Sequence, residues 1–144
     1  MAKTIQQTVQ FNAAPEQLFN VYMDSRAHSA AIKSRASISR KVGGKFTAFE
    51  GALRGKNLAI VPKRMIVQAW RGSDWKKSDL DSFLILTFSK ARGGGRITLV
   101  HANVPDRFHA GIKRGWNAYY WSRWKAYLKP TKGKQRRAKT RGRR

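Results

Sequence analysis

Few residue types in this chain can do chemistry, and their spacing limits what they can do. The three histidines, His28, His101 and His109, are scattered, and no two share a helix face at the spacing of a metal site. His101 alternates with Leu99 and Asn103 along an extended stretch, so if buried it needs a polar partner. His109 follows Phe108 near the start of a helix and is read as a rim residue. Asp79 and Asp81 are close in sequence, but they lie in a loop beside Lys76 and Lys77, which hold both ionised. Acid–base work needs two carboxyls whose pKa values are driven apart in a shielded site. No serine stands in a nucleophile-elbow pattern, and there is no cysteine to supply a thiolate or a disulfide. Gly93-Gly94-Gly95 precedes a strand and not a helix, so it reads as a turn and not a phosphate cradle. These residues imply no enzyme activity, no metal and no cofactor.

Charge is the stronger signal. There are 31 Lys and Arg against 7 Asp and Glu, a formal +24. Nine of the cations (Lys129, Lys132, Lys134, Arg136, Arg137, Lys139, Arg141, Arg143 and Arg144) fall in the last stretch, which has no acid. Removing those nine from +24 leaves +15 on residues 1–128, so the body is basic as well. Nine phosphate contacts would make binding to a polyanion fall by about 10³–10⁵ between 50 and 200 mM salt. The tail therefore predicts sequence-independent nucleic-acid binding; a solubilising extension is the plainer alternative. On the back of the helix described below, Arg107, Arg114 and Lys125 fall within about 20° of one another, with Trp121 beside them. That row could continue the polyanion surface, with Trp121 free for stacking. Alternatively Trp121 packs under the tail or against the N-terminal strand.

The elements that must position these groups can be read from the period of the apolar residues. Pro105–Leu128 is aromatic and regular enough for a long helix. Phe108, Ile112, Trp116, Tyr119, Tyr120 and Tyr127 lie within an arc of about 120°, with Asp106 as N-cap and Pro130 as a stop. Arg123 falls inside that arc and is expected to snorkel or to pair at a cavity mouth. Thr4–Phe11 alternates as a half-buried strand, and a helix from Pro15 is interrupted at Asp24 and Ser25 before a second short helix through about Ala31. Short strands follow near Ser34–Arg40 and Lys45–Phe49, turned by Gly43-Gly44. LAIVPKRMIVQAWR gives a strand pair joined near Pro62-Lys63, and Ser82–Ser89 and Arg96–Val104 complete six or seven antiparallel strands in meander order. This is an α+β pattern, one sheet packed on helices from one side. It predicts a domain over residues 1–128 and a disordered basic tail over 129–144. No apolar run approaches the roughly 18 residues of a membrane span, and the N-terminus lacks a signal-peptide core, so a soluble, cytoplasmic protein is expected.

FNAAPEQLFNVYMD, VGGKFTAFEGALRGKN, LAIVPKRMIVQAWR, Trp75, and HANVP followed by GWNAYYW occur in an order that resembles the family related to the activator of the heat shock protein 90 ATPase. That family belongs to the START-like (SRPBCC, birch-pollen-allergen-like) superfamily, and the likeness covers roughly residues 3–128. The resemblance implies a helix-grip fold, a curled antiparallel sheet around the long helix, with a hydrophobic cavity between them. Trp70 facing in would bring Ile66 and Gln68 in with it, and Phe46, Phe49, Ile112, Trp116 and Tyr120 could add to the walls. A solidly filled core is the alternative. The function implied is a non-enzymatic binding domain, for an apolar small molecule or a chaperone-type partner. The alternative is a nucleic-acid-associated protein whose polyanion surface comprises Arg107, Arg114, Trp121, Lys125, Arg136, Arg137, Lys139, Arg141, Arg143 and Arg144.

Overall fold

The computed structural model describes residues 2–129. Strand β1 (Ala2–Phe11) leads into α1 (Pro15–Met23) and α2 (Ser25–Ile32), then β2 (Ser37–Ile38), β3 (Lys45–Ala48), β4 (Leu53–Val61), β5 (Met65–Gly72), β6 (Ser82–Ala91) and β7 (Gly94–Pro105). The strands form one antiparallel sheet in the order β1-β7-β6-β5-β4-β3-β2. From Asp106 the chain is helical to Leu128: α3 (Asp106–Gly115), a π-helical turn (Trp116–Trp121) and α4 (Ser122–Leu128).

Local chemistry explains the boundaries. Asp24 ends α1 and caps α2, its Oδ2 accepting from the Ala27 amide at 2.8 Å. The strand expected near Ser34–Arg40 shrinks to Ser37–Ile38 because α2 competes for its backbone. Ser29 Oγ takes the Ala36 amide at 2.8 Å, and Ser25 Oγ takes that of Ile38 at 2.7 Å. Strand β3 stops at Ala48, one residue early, because Phe49 (φ 52°) and Glu50 (φ 56°) are both left-handed. Gly55 lies across the ladder from both Phe46 and Trp70. A Cβ there would fall 1.8 Å from the Ala69 carbonyl oxygen, so only glycine fits.

The π turn changes which residues meet the sheet. A π turn accommodates one extra residue, so everything after it lies roughly 100° behind its place on a regular helix. Trp124 thereby moves to the centre of the inward arc and Trp121 to its edge, and both are buried, at 0% and 1% exposure. Tyr119 and Tyr127, expected inside the arc, are 52% and 44% exposed. Arg123 is carried out of the apolar arc, and its Nη1 donates to the Ile32 carbonyl at the C-terminal end of α2, 2.5 Å away. The core then fills around Phe11, Tyr22, Trp121 and Trp124, whose rings lie 5.5–6.3 Å apart.

Charge is segregated by element. The strands carry seven cations (Lys3, Lys45, Arg54, Lys56, Arg71, Lys90 and Arg96) and not one Asp or Glu. Lys45 faces Lys56, and Arg54 faces Arg71, directly across the ladder, an arrangement that repels. Beside these pairs, Val67, Ile85 and Val100 form a cross-strand row on the outer face, and Phe83 is 43% exposed. No described helix is long and apolar enough to cross a membrane.

Candidate functional site

Between the helix, the start of β4 and the end of β5 lies an apolar cleft of about 310 Å³. Its walls include Phe49, Trp70, Trp116, Tyr119 and Tyr120; Leu53 and Ile112 add aliphatic surface. Gly111 and Gly115, one turn apart on α3, form a side of the cleft from bare backbone. A Cβ at Gly111 would meet nothing within 4 Å. Gly111→Ala should therefore raise stability by about 1 kcal/mol through helix propensity alone, measured by urea unfolding, with the cleft still open.

The polar tips of two of these aromatic walls point into a buried network. Trp116 Nε1 donates to His101 Nδ1 at 3.1 Å. Ser82 Oγ gives its one proton to the Trp70 carbonyl at 2.8 Å, so at its 2.8 Å contact with His101 Nε2 the imidazole is the donor. An imidazole protonated on that nitrogen cannot take a proton from the serine, so the Ser82–His101 pair is not a nucleophile with its base. Burial drives the His101 pKa down to about 3. Tyr120 Oη donates to His28 Nε2 at 3.0 Å, while His28 Nδ1 donates to the Tyr22 carbonyl at 2.7 Å. Burial lowers His28 to about 4 and raises Tyr120 well above the usual phenol range.

Of the eight residues expected to line a cavity, Phe49, Trp70, Ile112, Trp116 and Tyr120 meet at this cleft, and Phe46, Ile66 and Gln68 do not. Those three are buried beyond its floor. There Tyr22 Oη donates to Gln68 Oε1 at 2.8 Å, and Gln68 Nε2 to Asn57 Oδ1 at 2.9 Å. This polar chain and the Trp121–Trp124 ring pair, 5.5 Å apart, belong to the filled core. Leu53, Tyr119 and the two glycines were missed as wall residues. The four-residue spacing of Gly111 and Gly115 was the available signal, since it puts both on the helix face that carries Ile112 and Trp116.

The exterior row expected on the helix is not assembled. Trp121 is buried, its Nε1 donating to Gln7 Oε1 at 3.0 Å on β1, so its ring does not lie on the surface. Arg107 is paired with Asp79 and lies over the Phe108 ring at 4.5 Å. That hydrogen bond holds the Asp79 carboxyl below its ordinary pKa, and Asp81 is paired with Arg71 at 2.7 Å. The two carboxylates are thus fixed by arginines of β5 and α3, where the sequence pointed to Lys76 and Lys77. Lys125 lies beyond the π turn, which rotates it away from Arg114. Arg136, Arg137, Lys139, Arg141, Arg143 and Arg144 lie outside the described residues, as does most of the expected tail.

Four similarities bear on this arrangement. The family described as "Activator of Hsp90 ATPase homolog 1-like protein" matches residues 12–129. A human relative, "Activator of 90 kDa heat shock protein ATPase homolog 1", is 26% identical over 110 residues, 76% of this chain and 32% of its own length. The chain thus spans about a third of that relative's length. Among solved structures, an HSP90 activator from Plasmodium falciparum superposes with a TM-score of 0.79 at 26% identity, covering 87% of this chain and 95% of that one. A protein from Mesorhizobium loti, 20% identical, shares the fold with a TM-score of 0.75 over 88% and 96% of the two chains.

Proposed function

This chain belongs to the Activator of Hsp90 ATPase homolog 1-like protein family, and from that premise we propose that it is a non-catalytic binding domain whose cleft takes an apolar small molecule. The cleft itself carries the reading: about 310 Å³ walled by aromatic rings, at the small end of the range for ligand pockets. The polar groups behind the walls are already partnered, which suits a site that holds and does not react. Native mass spectrometry of gently purified protein should show a non-covalent adduct that Gly111→Leu, which fills the cleft, removes. Identical spectra for the two proteins, with no adduct in either, would discard the reading.

A second reading comes from the human relative's name and from the outer face of the sheet. That face combines cations, no acid and an apolar row, which suits an acidic protein surface with apolar anchors. On this reading the chain docks on a 90 kDa heat shock protein and raises its ATPase rate. Adding the chain to that purified chaperone should increase ATP turnover, and Lys56→Glu with Phe83→Asp should abolish the increase. Unchanged turnover with the unmodified chain would remove this reading.

A further inference from the structure

We propose that the ligand of the cleft is a flat aromatic molecule carrying one anionic group, and that Arg114 receives that group; this rests on the cleft being a ligand site. The walls favour a planar body. Aromatic rings predominate among the lining side chains, and the bare helix backbone at Gly111 and Gly115 leaves a slot with no protruding side chain. Two wall residues that could have offered polar atoms have them engaged elsewhere, Trp116 with His101 and Tyr120 with His28. A ligand body resting here therefore needs π surface more than hydrogen-bonding groups.

The charge of the ligand follows from where the cleft leads. A second groove shares Leu53, Trp70, Gly111 and Ile112 with it and continues along α3 to Arg107, Arg114 and Asp74. Arg107 is already held by Asp79. Arg114 is exposed and makes no ion pair among the described residues. It lines that second groove and not the cleft itself, so a molecule lying against the bare backbone and reaching out of the cleft meets its guanidinium at the outer end. A carboxylate, sulfonate or phosphate there gains a charge-assisted, bidentate contact, while a cationic ligand would meet a chain of net +24.

A matched pair of dyes tests this. 8-Anilinonaphthalene-1-sulfonate and N-phenyl-1-naphthylamine share one ring system, and only the first bears a charge. Fluorescence titration of the full chain should show both binding, and Gly111→Leu should abolish both. Leu53→Trp, which narrows the opposite wall, should do the same, so the result does not hang on one variant's folding. Arg114→Gln should weaken the sulfonate dye about fivefold and leave the neutral dye unchanged. Because this removes one cation of 31, diffuse attraction to the basic chain would hardly move. Decanoate, charged but without rings, should displace the sulfonate dye at least about tenfold less well than 1-naphthoate does, a step of about 1.4 kcal/mol. Equal displacement would overturn the flat body. Blocked binding in the cleft variants with no effect of Arg114→Gln would overturn the anionic group and leave the cleft as a ligand site. Failure of both dyes to bind the unmodified chain would remove the cleft reading and this inference together.

Discussion

An alanine inserted between Ser122 and Arg123 should cost about 3–5 kcal/mol, the range for losing a large buried aromatic, while deletion of Asn117 should cost far less. The reason is the π turn at Trp116–Trp121. It already absorbs one residue more than a regular helix would hold, and α3 and α4 are in phase with the sheet only because of it. A further residue turns Trp124, now 0% exposed, roughly 100° away from Phe11 and Tyr22. It also takes Arg123 from the Ile32 carbonyl. Removing exposed Asn117 lets the turn relax to an α-helix with both flanks in their present phase. Urea unfolding of the two variants checks the asymmetry, and equal losses would refute the phase account.

Acidification should weaken the fold steeply. His28 and His101 have native pKa values near 4 and 3, against about 6.5 for an unfolded histidine. Below pH 6.5 the unfolded chain takes up two protons that the native protein refuses, so stability is whole above that value and declines as pH falls towards 4 and then 3. At pH 5 each histidine should have cost about 2 kcal/mol. Two together approach the whole margin of a domain at the lower end of ordinary stability. Unfolding free energies at pH 7.5 and pH 5 should differ by about 4 kcal/mol, and a difference under about 1 kcal/mol would show that the rings are not kept neutral. The burial that raises the Tyr22 and Tyr120 pKa values sets the alkaline limit by the converse route. Above about pH 10 the unfolded phenols ionise first.

Much of this was legible from side-chain periods. The β1 alternation and the inward set Ile66, Gln68 and Trp70 follow from the two-residue pattern, and the run from β2 to β7 is the expected meander. The place of β1 beside β7, however, is a long-range pairing that no period reveals. What failed to show was set by contacts distant in sequence. The loss of most of the second strand depends on two serine hydroxyls of α2, and a helical wheel drawn at constant pitch cannot reveal a π turn. That one assumption placed Trp121 outside and Tyr119 inside. Arg123 inside the apolar arc was the clue that the wheel was out of phase. The fold resemblance implied a cavity without giving its extent, and Tyr22 and Trp124 pack into the space at one end of the grip.

The absence of carboxylates from the strands has a further result. A surface of that kind gathers small anions from the buffer, chloride or phosphate, as a loosely held layer. Whatever settles on the sheet must first evict that layer, and the ions set free gain entropy in dilute solution but little in brine. The reach of this face towards any acidic body is therefore governed by the ionic medium as much as by shape.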